Sequence, residues 1–360
     1  MFSIFYYMTC KKKIALSFSG GLDSSFSTFI SKKNNFYIEV FFIKNWNAFE
    51  NKNCFFKIDL VYVKNLCKKF KIKLHILDYS KIYWNSVFLL FLKSLKMGLT
   101  PNPDVYCNRE IKFKILFYYL IYILKFDFLS TGHYSKILKF KKKNIFLVSA
   151  DLKKNQTYFL FNIDKIARKK IFFPISNYLK SSIKLFIYYF NFLNFNKKSS
   201  IGICFIGEKK FKVFINKYIK KKAGFVIDDK KKIIAKHDGI FFYTIGEKFF
   251  CCENVDKSYI FKKNINKNLL YVTNEKEKLL MQHILIKKIN FKGKESKNIY
   301  FTKTRHSIDF NLSIFYWNKI YKKYAIFFKF KQKIVNPGQY VVFYKNNECI
   351  GGGEIFKIIK

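Results

Sequence analysis

Arginine is nearly missing from this chain. Of 69 Lys and Arg residues only Arg109, Arg168 and Arg305 are arginines. Acidic side chains are scarce as well: 23 Asp and Glu leave a formal net charge of +46. Such an excess turns attention to polyanions, either nucleic acid or an anionic membrane. The abundance of Lys, Asn, Ile, Phe and Tyr also matches an AT-rich coding bias, so charge alone leaves a nucleic-acid reading and a drift reading open. The eight cysteines form no CxxC pair, which suggests neither a zinc site nor a disulfide framework. Long apolar runs are lacking too. The greasiest, Ile115 to Leu124, is ten residues between Lys114 and Lys125, too short to cross a bilayer. Met1 to Cys10 is apolar and precedes Lys11 to Lys13, the reverse of a secretion signal's order. A cytoplasmic protein without a membrane partner is expected. What is present is bulk: 360 residues, 50% hydrophobic, enough for two or three cored domains and not a disordered tail.

The first part of the chain alternates short apolar runs with helical stretches. Strands are expected at Ile14–Phe18, Tyr37–Ile43, Lys73–Leu77 and Phe126–Ser130, and helices at Ser24–Ser31, Phe56–Phe70, Ile82–Met97 and Arg109–Leu124, with a loop over Gly98–Asn108. This β-α-β-α order predicts an α/β domain with a parallel sheet, and ligands beyond the carboxyl ends of its strands. A hairpin is expected over Lys136–Ser149, then a helical, Lys-rich region to about Asn196. From Gly202 the grammar changes to short strands and turns; Asn346-Asn347 suits a tight hairpin turn between Tyr340–Tyr344 and Cys349–Ile355. The expected division is 1–202, 203–278 and 279–360.

Three segments carry chemistry. Ser19-Gly20-Gly21-Leu22-Asp23-Ser24-Ser25 follows the first strand and opens the first helix. Two glycines let backbone N–H groups close on a phosphate, the helix N-terminus adds positive potential, and the serines add hydroxyls. Asp23 would serve a magnesium ion bridging the phosphates. A glycine turn with a serine cap explains the same residues without a ligand. In Thr100-Pro101-Asn102-Pro103-Asp104-Val105-Tyr106-Cys107, two prolines stiffen a loop that sets an acid and a thiol three residues apart at a helix start. A nucleophilic thiol there benefits from the helix N-terminus and nearby cations, but a cysteine packed under the prolines fits equally. Gly202-Ile203-Cys204-Phe205-Ile206-Gly207-Glu208 places a second cysteine on a glycine-bounded segment, where a buried strand cysteine is the plain alternative.

The glycine loop resembles the SGGxDS loop of the ATP pyrophosphatases. The whole chain, from Ile14 to about Ile355, resembles the tRNA-specific 2-thiouridylases. The collinear set comprises SGGLDSS, Phe42-Ile43-Lys44-Asn45-Trp46, TPNPDVYCNREIKF, Thr131-Gly132-His133-Tyr134, Lys154-Asn155-Gln156-Thr157-Tyr158, GICFIGEKKF, His237-Asp238-Gly239, Tyr243-Thr244-Ile245-Gly246, Lys303-Thr304-Arg305, Pro337-Gly338-Gln339 and Cys349-Ile350-Gly351-Gly352-Gly353.

The resemblance implies an ATP pyrophosphatase catalytic domain, a small β-rich central domain and a C-terminal β-barrel. It implies a two-cysteine sulfur transfer: Cys204 carries the persulfide, Cys107 is the nucleophile and Asp104 a general acid/base. ATP, with Mg2+ at Asp23 and no tightly bound metal or organic cofactor, falls on Ser17, Phe18, Ser19, Gly20, Gly21, Leu22, Asp23, Ser24, Ile43 and Gly132. The wobble uridine, flipped out so that its C2 oxygen reaches ATP and sulfur, falls on Asn102, Pro103 and Asp104. Other tRNA contacts fall on His133, Lys154, Asn155, Gln156, Arg305, His306 and Gln339. His133 also reads as a satisfied histidine at a strand end. A cysteine desulfurase or sulfur-relay protein would load Cys204, and the chain would act as a monomer. Arg305 stands out physically as well, as a place where Lys cannot supply a planar, bidentate donor.

The chain departs from the family pattern at Ser199 and Ile201, where an acid and a threonine are usual, at Asn155, usually Asp, and over Glu247 to Cys252, where a glycine-rich continuation is missing. Two other readings compete: a non-catalytic tRNA-binding protein that keeps the fold, and another adenylating ligase using the same loop.

Overall fold

The computed structural model describes residues 12–46, 55–140, 143–195, 197, 211–250, 258–291 and 299–359. Cys204, Ser199, Ile201, Cys251 and Cys252 lie outside the described residues. The chain forms two compact units, 1–86 with 105–201, and 87–104 with 202–360.

The first unit is built on five parallel strands: β1 (Lys13–Phe18), β2 (Tyr37–Lys44), β3 (Lys73–Asp78), β4 (Phe128–Thr131) and β7 (Ile171–Phe172), in the order β3-β2-β1-β4-β7. Ile14, Ala15 and Leu16 of β1 are at most 1% exposed, as expected of a strand covered on both faces. Alternation sorts β2: Ile38, Val40 and Phe42 join the core with Leu16, Phe26, Val63 and Ile183, while Phe41 meets Phe126 and stacks on His75 from the other face. Each such fully buried aliphatic or aromatic side chain contributes roughly 1.5–3 kcal/mol. The helices that supply that core are α1 (Leu22–Lys33), α2 (Phe55–Phe70) and, after α3 and α4, α5 (Lys180–Tyr189). Helix α3 spans 80–96 and α4 spans 103–123, the latter with π-helical stretches at Cys107–Leu116 and Tyr119–Ile123. A hairpin, β5 (Ser135–Phe140) and β6 (Lys143–Val148), follows β4.

Two expectations change. Helix α4 starts at Pro103, inside the expected loop Gly98–Asn108. Proline tolerates the first helical position, and Asn102 Oδ1 accepts from Asp104 N at 3.1 Å, capping the first turn. The region to Asn196 is not one helical tract: short turns at Thr157–Leu160 and Lys165–Arg168 lead into β7, an edge strand, before α5.

The second unit holds a five-stranded sheet of β8 (Gly224–Ile227), β9 (Ile233–His237), β10 (Lys248–Phe249), β11 (Ser258–Asn264) and β12 (Leu269–Thr273), around Val226, Ile240, Ile260 and Leu270. It also holds an antiparallel six-stranded barrel: β13 (Leu280–Phe291), β14 (Ile299–Lys303), β15 (Asn311–Asn318), β16 (Lys323–Lys333), β17 (Tyr340–Lys345) and β18 (Glu348–Ile359). The order β13-β16-β15-β14-β17-β18 closes through β13 and β18. The seam needs Gly351, whose φ is +140° and whose added Cβ would lie 2.0 Å from Asn290 O. Asn346 and Asn347 both sit in the left-handed region, φ 47° and 64°, the two-residue turn expected between β17 and β18.

Candidate active site

The strand order places a switch point beside β1. The chain winds from β1 through β2 to β3, then returns to add β4 on β1's other side. Ligands of open parallel sheets bind where the order reverses, beyond the carboxyl ends. There the β1–α1 loop and Thr131-Gly132-His133 face one another: a Cβ added at Gly132 would lie 2.9 Å from Ser24 N and 3.0 Å from Asp23 C. Glycine is therefore required for β4's end to lie against the N-terminus of α1.

The loop is braced from below. Gly20 has φ +77° and an added Cβ would lie 2.8 Å from Asp59 Cβ. Its carbonyl accepts from Asn194 Nδ2 and Lys197 Nζ, each at 3.3 Å. Lys197 also pairs with the Asp59 carboxylate, whose burial raises its pKa against the pull of that ammonium. Ser24 and Ser25 hydroxyls donate to Gly21 O at 2.8 and 3.1 Å, which rigidifies the turn, while Ser19 is exposed. Backbone N–H groups at the head of a 12-residue helix thus stand at a fixed, partly open surface, suited to an anion.

Asp23 Oδ1 accepts from Tyr134 Oη at 2.7 Å and from Lys180 Nζ at 2.6 Å. Burial, then the nearby Asp23 charge, pushes the Tyr134 phenol far above its usual range, so it stays a donor. Among the described residues no three His, Cys, Asp or Glu side chains cluster to hold a metal. A single carboxylate at the head of α1 fits a magnesium ion that would arrive with phosphates and take one protein ligand. Sequence reasoning missed Tyr134, Lys180, Asp59, Asn194 and Lys197. Of these, only Tyr134 stood in a motif that the sequence singles out.

Asp104 is exposed in the first turn of α4, and Cys107, one turn on, is buried, 6% exposed. The thiol is thus inside the helix rather than at its start. Asn108 Nδ2 donates to Phe159 O at 3.2 Å, and Arg109 is occupied locally, with Nε donating to Glu110 Oε1 at 2.6 Å. His133 accepts or donates at Nδ1 with Thr131 Oγ1, 2.8 Å away; burial, then Lys112, holds its pKa well below the ordinary value, leaving it neutral. Lys154 is exposed. Asn155 is buried with its Oδ1 accepting from Thr157 N and Oγ1, and Gln156 Oε1 accepts from Tyr134 N at 2.9 Å. Gln156 therefore secures the Tyr134 segment, while Asn155 caps the turn at Thr157.

In the second unit, one segment gathers several of the candidate residues. Thr100 N donates to Pro337 O at 2.9 Å, and Gly338, φ +90°, packs against Leu99 and Thr100. Half-buried Lys263, its pKa drawn down to about 8 by desolvation, reaches Gly98 O at 3.4 Å. The loop leading to Asn102, Pro103 and Asp104 is thus fastened beside Gln339. Arg305 Nη2 donates to Ile334 O at 3.2 Å, tying its own loop to the same segment, with His306 exposed next to it. Arg168 clamps carbonyls likewise, those of Ile163 and Phe161, from a buried site.

These features define a class: a nucleotide-binding α/β domain followed by two β domains. Residues 12–208 match the family described as tRNA methyl transferase HUP domain, 212–274 its PRC-barrel domain, and 281–355 the aminomethyltransferase beta-barrel domain. The chain is 39% identical over 357 residues to the tRNA-specific 2-thiouridylase MnmA of Buchnera aphidicola subsp. Acyrthosiphon pisum (strain APS), covering 96% of each. It is 34% identical over 362 residues to that of Legionella pneumophila (strain Lens), covering 97% of this chain and all of that one. A third relative, of Malacoplasma penetrans (strain HF-2), is 34% identical over 366 residues, 96% of this chain and 98% of the other. The chain belongs to the tRNA-specific 2-thiouridylase family.

Proposed function

We propose that the chain is a tRNA-uridine 2-sulfurtransferase that uses ATP to replace the C2 oxygen of the wobble uridine with sulfur. The observation that carries this is the glycine loop at the sheet's switch point, closed by Gly132, in a chain of this family. ATP lies on Ser17 to Ser24, Ile43 and Gly132, its phosphates at the N-terminus of α1. The flipped uridine lies on Asn102, Pro103 and Asp104. The C2 oxygen attacks the α-phosphorus; pyrophosphate leaves, and a poor leaving group becomes AMP. Asp104 moves the proton that accompanies these steps.

Cys204 carries the sulfur as a persulfide, loaded by a cysteine desulfurase or a relay protein. Its terminal sulfur bonds to C2 and AMP departs. Cys107 thiolate then attacks the Cys204 sulfur, the S–S bond to the transferred atom breaks, and that electron pair stays with the thiouridine. The product is a Cys107–Cys204 disulfide, which an external thiol must reduce with two electrons before the next turnover. In a variant of the same chemistry, Cys107 attacks first and releases hydrosulfide, which displaces AMP. His133, Lys154, Asn155, Gln156, Arg305, His306 and Gln339 serve the tRNA. The working division is 1–202, 203–278 and 279–360, supported by the extents of the three family matches, in a cytoplasmic monomer.

The test is to follow AMP, pyrophosphate and 2-thiouridine together. The reading expects ATP cleavage that depends on tRNA, with Cys107→Ser and Cys204→Ser each abolishing thiolation while leaving tRNA affinity within about twofold. Thiolation that survives either change excludes the two-cysteine route.

A further inference from the structure

The nucleotide reading leaves one cation at the glycine loop without a role. Lys180, the first residue of α5, places Nζ 2.6 Å from Asp23 Oδ1, the oxygen that also accepts from Tyr134. Its side chain is 17% exposed, and its root is pinned. Lys180 N donates to Asp151 Oδ2 at 2.9 Å, and Asp151 Oδ1 accepts from Lys154 N at 3.2 Å. The ammonium is therefore delivered from a fixed backbone position to the second residue of α1.

A carboxylate at an anion cradle opposes the triphosphate it is meant to receive unless a cation offsets it. Here the chain supplies that cation itself. A lysine ammonium, a compact point charge on a flexible stem, can exchange one oxygen ligand for another without rebuilding its surroundings. Resting on the ATP reading, the geometry points to Lys180 as a ligand of the nucleotide's phosphates. It balances Asp23 as the triphosphate approaches, then passes from Asp23 Oδ1 to a phosphate oxygen, leaving the carboxylate open to the magnesium ion. Tyr134, held protonated, keeps the carboxylate oriented through the exchange. No covalent bond changes, and the charge at the cradle stays balanced at each stage.

The experiment is calorimetric titration of the full chain with α,β-methylene ATP, with and without magnesium, for the wild type and for Lys180→Ala, Lys180→Met, Lys180→Arg and Gly132→Ala. Loss of a charge-assisted hydrogen bond to phosphate is expected to weaken analogue binding about tenfold or more in Lys180→Ala. Lys180→Met, which keeps the aliphatic stem and guards against misfolding, should show the same loss and need more magnesium for half-maximal binding. Lys180→Arg should restore most of the affinity, and tRNA affinity should stay within about twofold throughout. Analogue binding within twofold of wild type in Lys180→Ala and Lys180→Met, with Gly132→Ala impaired, overturns the role of Lys180 alone. A wild-type chain that does not bind the analogue overturns the ATP reading and this proposal together.

Discussion

A single methyl group at Gly132 would sit 2.9 Å from Ser24 N, closer than a Cβ tolerates against backbone that cannot swing away. Gly132→Ala must therefore push β4's end off the head of α1. The expected cost is about 1–3 kcal/mol of stability and at least a tenfold weaker ATP affinity, read by denaturant melts and nucleotide titration; unchanged affinity would mean that the phosphates lie elsewhere. His133 yields a pH prediction. Burial, then Lys112, lowers its pKa well below 6.5, and burial lowers that of His237 as well. The unfolded chain takes up protons near pH 6.5 that the folded chain refuses, so stability is retained above that pH and falls below it, approaching about 1.4 kcal/mol per pH unit for His133. Urea midpoints at pH 7 and 5.5 should show a smaller acid loss in His133→Asn than in the wild type. The glycine loop was legible because its residues are contiguous. The Asp23–Tyr134–Lys180 cluster was not, since Lys180 lies 157 positions from Asp23 and is one lysine among dozens. Arg305 was legible as a planar donor, yet the contacts the structure gives it, like those of Arg168, are backbone carbonyls.

At the scale of elements, the strands were readable wherever Ile, Val, Leu and Phe run together, because burial on both faces removes the polar alternation. The Asn346-Asn347 turn was readable because those residues tolerate left-handed backbone. Two features were hidden. Helix α4 begins at a proline, which reads as a breaker although it suits a first turn, and β7 is two residues long, below any periodic signal. The latch on the Leu99–Asp104 loop was also hidden, since it depends on a contact with Pro337 and Gly338 far along the chain. Gly338→Ala tests it. With φ +90° and Leu99 Cβ 2.8 Å from the added carbon, the loop must shift. The account expects thiolation to fall tenfold or more while ATP affinity remains within twofold. Equal losses of both would show a general collapse instead of a displaced loop.

For the whole molecule, the formal charge of +46 overstates what holds tRNA. Lysines are spread over exposed faces of both units, and only those that meet phosphates release counterions. The logarithm of tRNA affinity against the logarithm of salt should therefore have a slope of magnitude on the order of 6–10, as for other nucleic-acid proteins with a similar number of phosphate contacts. A several-fold steeper slope would mean that the lysine excess itself is the binding device. Among the described residues no helix is long and apolar enough to cross a membrane. The most direct test of the central claim is to incubate the purified chain with ATP, magnesium, cysteine, a cysteine desulfurase, a thiol reductant and an unmodified tRNA bearing a wobble uridine, then resolve the RNA on a mercury-containing gel that retards thiolated species. The account predicts a retarded band that requires ATP; tRNA bound without ATP and no retarded band under any condition would contradict it and leave a tRNA-binding protein without the chemistry.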